Sequence, residues 1–150
     1  MLSRAAENLF WMGRYMERAD ATARLIEMGH RMAMLPGSNE QEEWRSVALA
    51  SGAAMDIAEK SSISAESVIK RLLLDSEERS SIRACLTAAR ANGRAIRTAL
   101  TQDMWEALND GWRQLGDVDA ETAKRNLPSL LEWTKNRTAA FRGAAEISLL

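Results

Sequence analysis

The stretch ENLFWMGRYMERAD, residues 7–20, decides the fold, because apolar side chains return along it every three or four residues. That repeat is typical of an α-helix with one buried face. It continues in both directions, so we predict a first helix over about residues 3–34. The seam that this helix buries consists of Leu2, Ala5, Leu9, Met12, Met16, Ala19, Ala23, Ile26 and His30.

The first helix is longer than its expected neighbours. At 1.5 Å per residue it would span about 48 Å, whereas a helix of about 20 residues would reach about 30 Å. We therefore expect either that Gly13 or Gly29 bends the helix, or that its end packs on another chain.

The rest of the chain repeats the helical pattern and shows almost none of the alternation that strands require. Pro36 and Gly37 end the first helix, and residues 117–126 form a polar connector with one helical turn. Further helices are predicted over about residues 40–60, 65–74, 81–100, 102–116 and 128–150. The sequence thus predicts an all-α fold, a single domain over residues 1–150. It would be a bundle of about six helices, with mostly antiparallel neighbours because the connections are short.

Composition restricts the partners and the compartment. Charged residues make up 27% of the chain and the net charge is -1, so we expect neither nucleic acid nor a membrane surface as a partner. The single cysteine, Cys85, excludes an intramolecular disulfide and fits a reducing compartment. No apolar run approaches the ~18 residues that a bilayer span requires. We therefore predict a soluble, cytoplasmic protein.

Metal binding and nucleophilic catalysis both lack a complete set of residues. Glu27 and His30 have the Glu-x-x-His spacing of carboxylate di-iron bundles, but such a site needs the pair twice and the chain has one histidine. Cys85 lies on the side of its helix that carries Ile82 and Leu86, where a thiol behaves as a small apolar group. We predict no metal and no cofactor.

Four arginines of the helix predicted over 81–100 share one stripe, since they recur at intervals of seven, four and three. No acidic residue lies between Ser80 and Gln102 to neutralise them, whereas the first helix is rich in acids. One interpretation is that the two helices pack side by side and exchange ion pairs across the bundle. The other is that the stripe binds an anion or an acidic partner. The stripe consists of Arg83, Arg90, Arg94 and Arg97.

The five tryptophans are expected to be core or seam residues whose indole N–H groups reach a partner at the edge. They would form a binding surface only if two or more were exposed together. They are Trp11, Trp44, Trp105, Trp112 and Trp133.

The stretch MLSRAAENLFWMGRYMERADATARL, residues 1–25, resembles the start of the bacterial Alpha-E family of all-helical domains, which is named for a Glu-Arg motif. The motif falls on Glu17 and Arg18. The resemblance continues through SSIRACLTAARANGRAIRTALTQDMWEALN, residues 80–109, and more weakly through LLEWTKNRTAAFRG, residues 130–143. Fuller members carry a second GRYMERAD-type segment. The chain therefore resembles their N-terminal half, either as a short natural form or as half of a duplicated domain.

The resemblance implies association with ATP-grasp ligases and with transglutaminase-like or peptidase-like proteins that make or modify small peptides. We expect an accessory or scaffold domain that binds a protein or peptide partner in such a system. A homodimer is expected from the long first helix and from the apolar Ile147, Leu149 and Leu150.

Two alternatives to this reading stay open. One is an enzyme of unrecognised type that acts on an anionic, peptide-like substrate through a carboxylate and several arginines. The other is nucleic-acid binding through the arginine stripe. The candidate polar cluster for the partner or the substrate is Arg14, Glu17, Arg18, Arg90, Arg94 and Arg97.

Gly13 has no side chain and would let a neighbouring helix approach the first helix closely. Glu17 lies one turn later, where its carboxylate would be partly buried and would need a cation. We therefore expect a buried ion pair between Glu17 and Arg94 or Arg97.

Overall fold

The structure is a computed structural model that describes residues 2–149, with the side chains of residues 3–146. The side chains of Leu2 in the predicted seam and of Ile147, Leu149 and Leu150 therefore lie outside the described residues.

The described part contains helices and no strand, which confirms the predicted all-α class. The helices are α1 Leu2–Ala33, α2 Glu40–Ser51, α3 Met55–Ala58, α4 Ala65–Ile69 continued by a π-helical turn Lys70–Leu74, α5 Ile82–Ala95 followed by a 3₁₀ turn Arg97–Ala99, α6 Gln102–Gly116, α7 Ala120–Arg125 and α8 Leu127–Leu149.

Four helices form the central bundle, in which α1 packs between α5 and α8 while α6 closes the opposite side. Helix α5 is antiparallel to α1, because Met12 lies beside Gly93 whereas the Thr22 hydroxyl donates to the Ser80 carbonyl at 3.0 Å. The expectation that these two helices lie side by side is confirmed. Their shared core is fully buried at Met12, Ala19 and Ala89.

Helix α2 covers the C-terminal half of α1 and accounts for much of its extra length. A Cβ on Gly29 would collide with the Val47 side chain, so the absence of a side chain at Gly29 permits this close approach. Trp44 is buried at the same crossing. Helix α1 runs without interruption through both of its glycines. A Cβ on Gly13 would have no neighbour within 4 Å, so the prediction that Gly13 admits another helix is wrong.

The predicted helix over 40–60 is in fact two helices. Gly52 adopts a left-handed conformation with φ +68° and ends α2, and the Ser51 hydroxyl then accepts a hydrogen bond from the Ala53 amide at 3.2 Å. The predicted connector contains a further helix, α7, because the Asp119 carboxylate caps it by accepting from the Thr122 amide at 2.8 Å. These short helices add to the predicted bundle without changing its class.

Candidate functional site

The arginine stripe lies on α5 and on the 3₁₀ turn after it, beside α6. Capping side chains fix where the two helices begin, and a small residue lets them approach closely. The Ser81 hydroxyl caps α5 by accepting from the Ala84 amide at 3.0 Å, and the Thr101 hydroxyl caps α6 in the same way at the Met104 amide. A Cβ on Gly93 would lie 2.6 Å from the Leu108 Cδ1 atom, so glycine at this position allows the close contact.

Two of the arginines stack on the tryptophans of α6. The guanidinium carbon of Arg90 lies 4.0 Å from the centroid of the Trp112 ring and 5.6 Å from that of Trp105. The guanidinium carbon of Arg97 lies 5.0 Å from the Trp105 centroid. All three distances are within the range of a cation–π interaction. The order along the surface is therefore Trp112, Arg90, Trp105, Arg97.

Side-chain amides hold the edges of these two guanidinium groups. Arg90 Nε donates to Asn109 Oδ1 at 3.2 Å, and Arg97 Nη2 donates to Gln102 Oε1 at 3.0 Å. Each group therefore keeps further N–H donors beyond its stacked face, since a guanidinium carries five. Arg94 lies between them in sequence and is exposed.

We call the surface formed by Arg90, Arg94, Arg97, Trp105 and Trp112 the Arg–Trp surface. Within the described residues, none of its three arginines forms an ion pair with a carboxylate. The surface is positive and aromatic, although the chain as a whole has a net charge of -1. It therefore differs locally from the average electrostatics of the molecule.

Arg83, the first residue of the stripe, has a different role. Its Nη1 atom donates to the Leu74 carbonyl at 3.1 Å, and its Nη2 atom donates to the carbonyls of Leu115, at 2.9 Å, and Val118. It thereby ties the end of the π-helical turn to the end of α6 and the residues after it. Aromatic rings, side-chain amides and backbone carbonyls, rather than acids of α1, are the partners of Arg83, Arg90 and Arg97.

The predicted pair between Glu17 and Arg94 or Arg97 is absent from the described residues. The Glu17 side chain is 70% exposed, and its ion pair is with Arg14 of the same helix, at 3.9 Å between Nη1 and Oε2. The cause is helix rotation, because Glu17 lies on the side of α1 that faces α8. Arg18 lies over the Tyr15 ring at 5.8 Å. The candidate cluster is thus split into an α1 part and an α5 part.

The acids of α1 that reach another helix reach α8. The Lys135 ammonium donates to the Glu27 carboxylate at 2.8 Å, and the Thr138 hydroxyl donates to Asp20 Oδ1 at 3.1 Å. The hydrogen bond from Lys135 lowers the pKa of Glu27 below its ordinary value, and the nearby Arg31 charge adds to this effect. Within α1, Asp20 also forms an ion pair with Arg24 at 2.8 Å.

Glu17 does line a groove between α1 and α8, opposite Phe141 and Arg142, with a volume of about 180 Å³. The α5 arginines do not line it. The enzyme alternative required the carboxylate and these arginines to converge in one pocket, and the described residues do not bring them together.

The other residues considered for chemistry are engaged in packing. Cys85 is fully buried, as its place on the helix predicted, and burial raises the pKa of its thiol to about 11. The thiol donates to the Arg79 carbonyl at 3.4 Å. Such a thiol is a poor nucleophile near neutral pH. The carboxylate of Glu27, from the Glu-x-x-His pair, is occupied by Lys135. Within the described residues, no group of three or more potential ligand residues could hold a metal ion.

The tryptophans divide into two groups. Trp44 is buried, and the Trp133 indole N–H donates to Gln114 Oε1 at 2.8 Å, as expected for core and edge residues. Trp112 and Trp11, by contrast, are 37% and 40% exposed. The signal for the Arg–Trp surface was present in the sequence, since Trp105 and Trp112 are seven residues apart on the helix that follows the arginine stripe. The pairing of the two stripes depends on how α5 and α6 face each other.

No helix among residues 2–149 has the length and apolar character needed to cross a membrane.

Comparison with known proteins identifies one family. Searches of curated proteins and of solved structures gave no match. The model of the Alpha-E family, described as a predicted alpha-helical domain with a conserved ER motif, matches residues 1–150. Glu17 and Arg18 are consecutive Glu and Arg residues within this match. Because the match covers residues 1–150, the chain belongs to the Alpha-E family.

Proposed function

We propose that this chain is a non-catalytic helical binding module that docks an acidic segment of a partner in a peptide-synthesis or peptide-modification system. The partner would be an ATP-grasp ligase, a transglutaminase-like protein or their peptide. The observation that carries the proposal is the Arg–Trp surface, where three arginines without carboxylate partners lie beside two partly exposed indoles.

Stacking prepares these arginines to bind carboxylates. A ring that covers one face of a guanidinium restricts its rotation but leaves N–H donors at its edge available. Less side-chain entropy is then lost when a carboxylate binds. Arg90 and Arg97 are held in this way, and Arg94 adds an exposed charge beside them. An extended acidic segment would contact the guanidinium edges and cover the Trp112 ring.

The location that we propose for this system is the cytoplasm. Cys85 is unpaired and buried, and a chain with a single thiol has no need of an oxidising compartment.

The first test is calorimetry with a hexaglutamate peptide and with hexalysine as its charge-reversed comparison. Wild-type protein should bind hexaglutamate and not hexalysine, with an affinity that falls as salt rises. Arg94→Gln should weaken binding about tenfold, because it removes a charge-assisted contact without disturbing a hydrogen bond of the free protein. Arg4→Gln, at an exposed arginine on α1, should leave the affinity within about twofold of wild type.

The aromatic half of the surface has its own matched pair of variants. Trp112→Ala should weaken hexaglutamate binding about tenfold, because it removes the ring that positions Arg90. Trp11→Ala removes an indole of similar exposure from α1 and should have little effect. Equal effects of the two variants would count against the proposal. Tighter binding of single-stranded DNA than of hexaglutamate would favour a nucleic-acid partner and overturn it.

A second test uses the proposed partner itself. The purified chain is mixed with a purified ATP-grasp ligase, and the affinity between the two proteins is measured with and without hexaglutamate. We expect binding that hexaglutamate competes away and that Arg94→Gln weakens. Binding unaffected by either change would place the docking surface elsewhere on the molecule.

A further inference from the structure

A second basic region surrounds a cavity of about 580 Å³. The cavity lies beside the π-helical turn, and Arg83 is one of its lining residues. Ile57 and Leu74 give it an apolar wall and are both buried. Lys60 and Lys70 line it and are exposed, and Ser67 and Ser76 add hydroxyl groups. A cavity of this size is large enough for a small organic molecule.

The acids near this cavity are already engaged. The Asp56 carboxylate accepts two hydrogen bonds of 2.7 Å from Arg71, and Asp75 and Glu78 lie 3.5 and 3.6 Å from the same guanidinium. Asp119 caps α7, and the hydrogen bonds from Thr122 lower its pKa below the ordinary value. These carboxylates are therefore held by Arg71 and by a helix end, and within the described residues none of them forms an ion pair with Lys60, Lys70 or Arg83.

Three cations at the cavity have no carboxylate partner within the described residues. Lys60 and Lys70 form no ion pair there. The Arg83 guanidinium bonds three neutral carbonyls through its Nη atoms, and no carboxylate pairs with it there. An anion in the cavity would therefore interact favourably with its positive charge.

The wall of the cavity includes the π-helical turn Lys70–Leu74. π-helical turns are rare, because their geometry is less favourable than that of an α-helix. Those that occur are frequently found at functional sites. Here the turn contributes both a cation, Lys70, and an apolar group, Leu74, to the same cavity.

We propose that this cavity binds an organic phosphate monoester. Its phosphate would lie among Lys60, Lys70 and Arg83, and its apolar part would lie against Ile57 and Leu74. Three cations without a direct carboxylate partner suit a phosphate monoester, which carries close to two negative charges at neutral pH, better than a single carboxylate. This site is separate from the Arg–Trp surface and does not depend on the proposed docking function.

The test uses phenyl phosphate as the probe, with inorganic phosphate and benzoate as comparisons, and calorimetry on the full chain. Phenyl phosphate should bind most tightly, because benzoate carries less charge and inorganic phosphate leaves the apolar wall uncovered. The double variant Lys60→Gln/Lys70→Gln should weaken its binding at least about tenfold. Arg83 is left intact, since its removal would release three carbonyls and test folding instead.

The matched control is Arg4→Gln/Lys124→Gln, which removes two exposed positive charges that do not line the cavity. It should bind phenyl phosphate within about twofold of wild type. Equal losses in the two double variants would show a general charge effect and overturn the proposal. So would benzoate or inorganic phosphate binding as tightly as phenyl phosphate, or no binding of phenyl phosphate at millimolar concentration.

Discussion

At the residue scale, Gly29 and Gly13 occupy the same helix but have different surroundings. A Cβ on Gly29 would meet the Val47 side chain, whose branched carbon allows little rotation, whereas a Cβ on Gly13 would meet nothing within 4 Å. Gly29→Ala should lower the free energy of unfolding by about 1–3 kcal/mol through overpacking. Gly13→Ala should leave it unchanged or raise it by up to about 1 kcal/mol, because alanine favours helix.

Urea denaturation of the two variants measures this difference directly. A Gly29→Ala protein as stable as wild type would show that α2 does not approach α1 as closely as the structure has it. A Gly13→Ala protein less stable than wild type would show that another helix packs closely at Gly13.

Residue patterns predicted which side chains share a face but not which groups they meet. The arginine stripe followed from intervals of seven, four and three, and the burial of Cys85 followed from its neighbours on the helix. The partners of Arg90 and Arg97 did not follow, because a cation can be balanced by a carboxylate, a ring or a carbonyl. That choice depends on the rotation of α5 and α6 about their axes.

At the scale of elements, boundaries were predictable where a strong local signal exists. Helix α6 has the predicted bounds, since Thr101 caps it and Gly116 ends it. The break at Gly52 was missed because a glycine inside a helical pattern is often tolerated, and only its left-handed conformation shows that α2 ends there.

The contact between α1 and α8 gives a pH dependence that can be measured. The hydrogen bond from Lys135 lowers the pKa of Glu27 from its ordinary value of 4.5 in the folded state. The ionised carboxylate therefore stabilises the fold above about pH 4.5, and this contribution is lost as the pH falls through the lowered pKa. At pH 7, Glu27→Gln should lower Tm by a few degrees, and the difference from wild type should shrink at pH 3.

The control for this prediction is Glu17→Gln, because the Glu17 side chain is exposed and its pair with Arg14 is long. Its Tm should match that of wild type at both pH values. Calorimetric scans of the three proteins provide the test. A Tm difference for Glu27→Gln that is the same at pH 7 and pH 3 would contradict a role for the ionised carboxylate.

At the scale of the whole molecule, the fold class was predictable, because long amphipathic helices joined by short loops have few packing solutions. The adjacency of α1 and α5 was predicted from their complementary charges, and the helices are adjacent although no ion pair joins them within the described residues. The position of α2 over the C-terminal half of α1 was not predicted, since it depends on the close fit of Gly29 against Val47. The contact between α1 and α2 covers part of the extra length of α1, which was one reason to expect a second chain.

The homodimer remains a prediction, and the surface of α1 offers a way to test it. Met28 and Met32 lie one turn apart on α1, and Leu35 follows the end of the helix; they are 64%, 42% and 53% exposed. Exposed apolar residues grouped in this way are a typical interface feature. We expect sedimentation equilibrium at micromolar concentration to show a dimer that Met28→Glu/Met32→Glu converts to monomer. Met55→Glu, at an exposed methionine of α3, should leave it dimeric. A monomeric wild type would contradict the prediction.

The central claim is that tryptophans of α6, and not acids of α1, hold Arg90 and Arg97 of the arginine stripe. The most direct test is a pair of double-mutant cycles in urea denaturation, one with Arg90→Leu and Trp112→Leu, the other with Arg97→Leu and Glu17→Gln. We predict a coupling of about 0.5–1 kcal/mol between Arg90 and Trp112 and none between Arg97 and Glu17. No coupling in the first cycle, with coupling in the second, would contradict the claim.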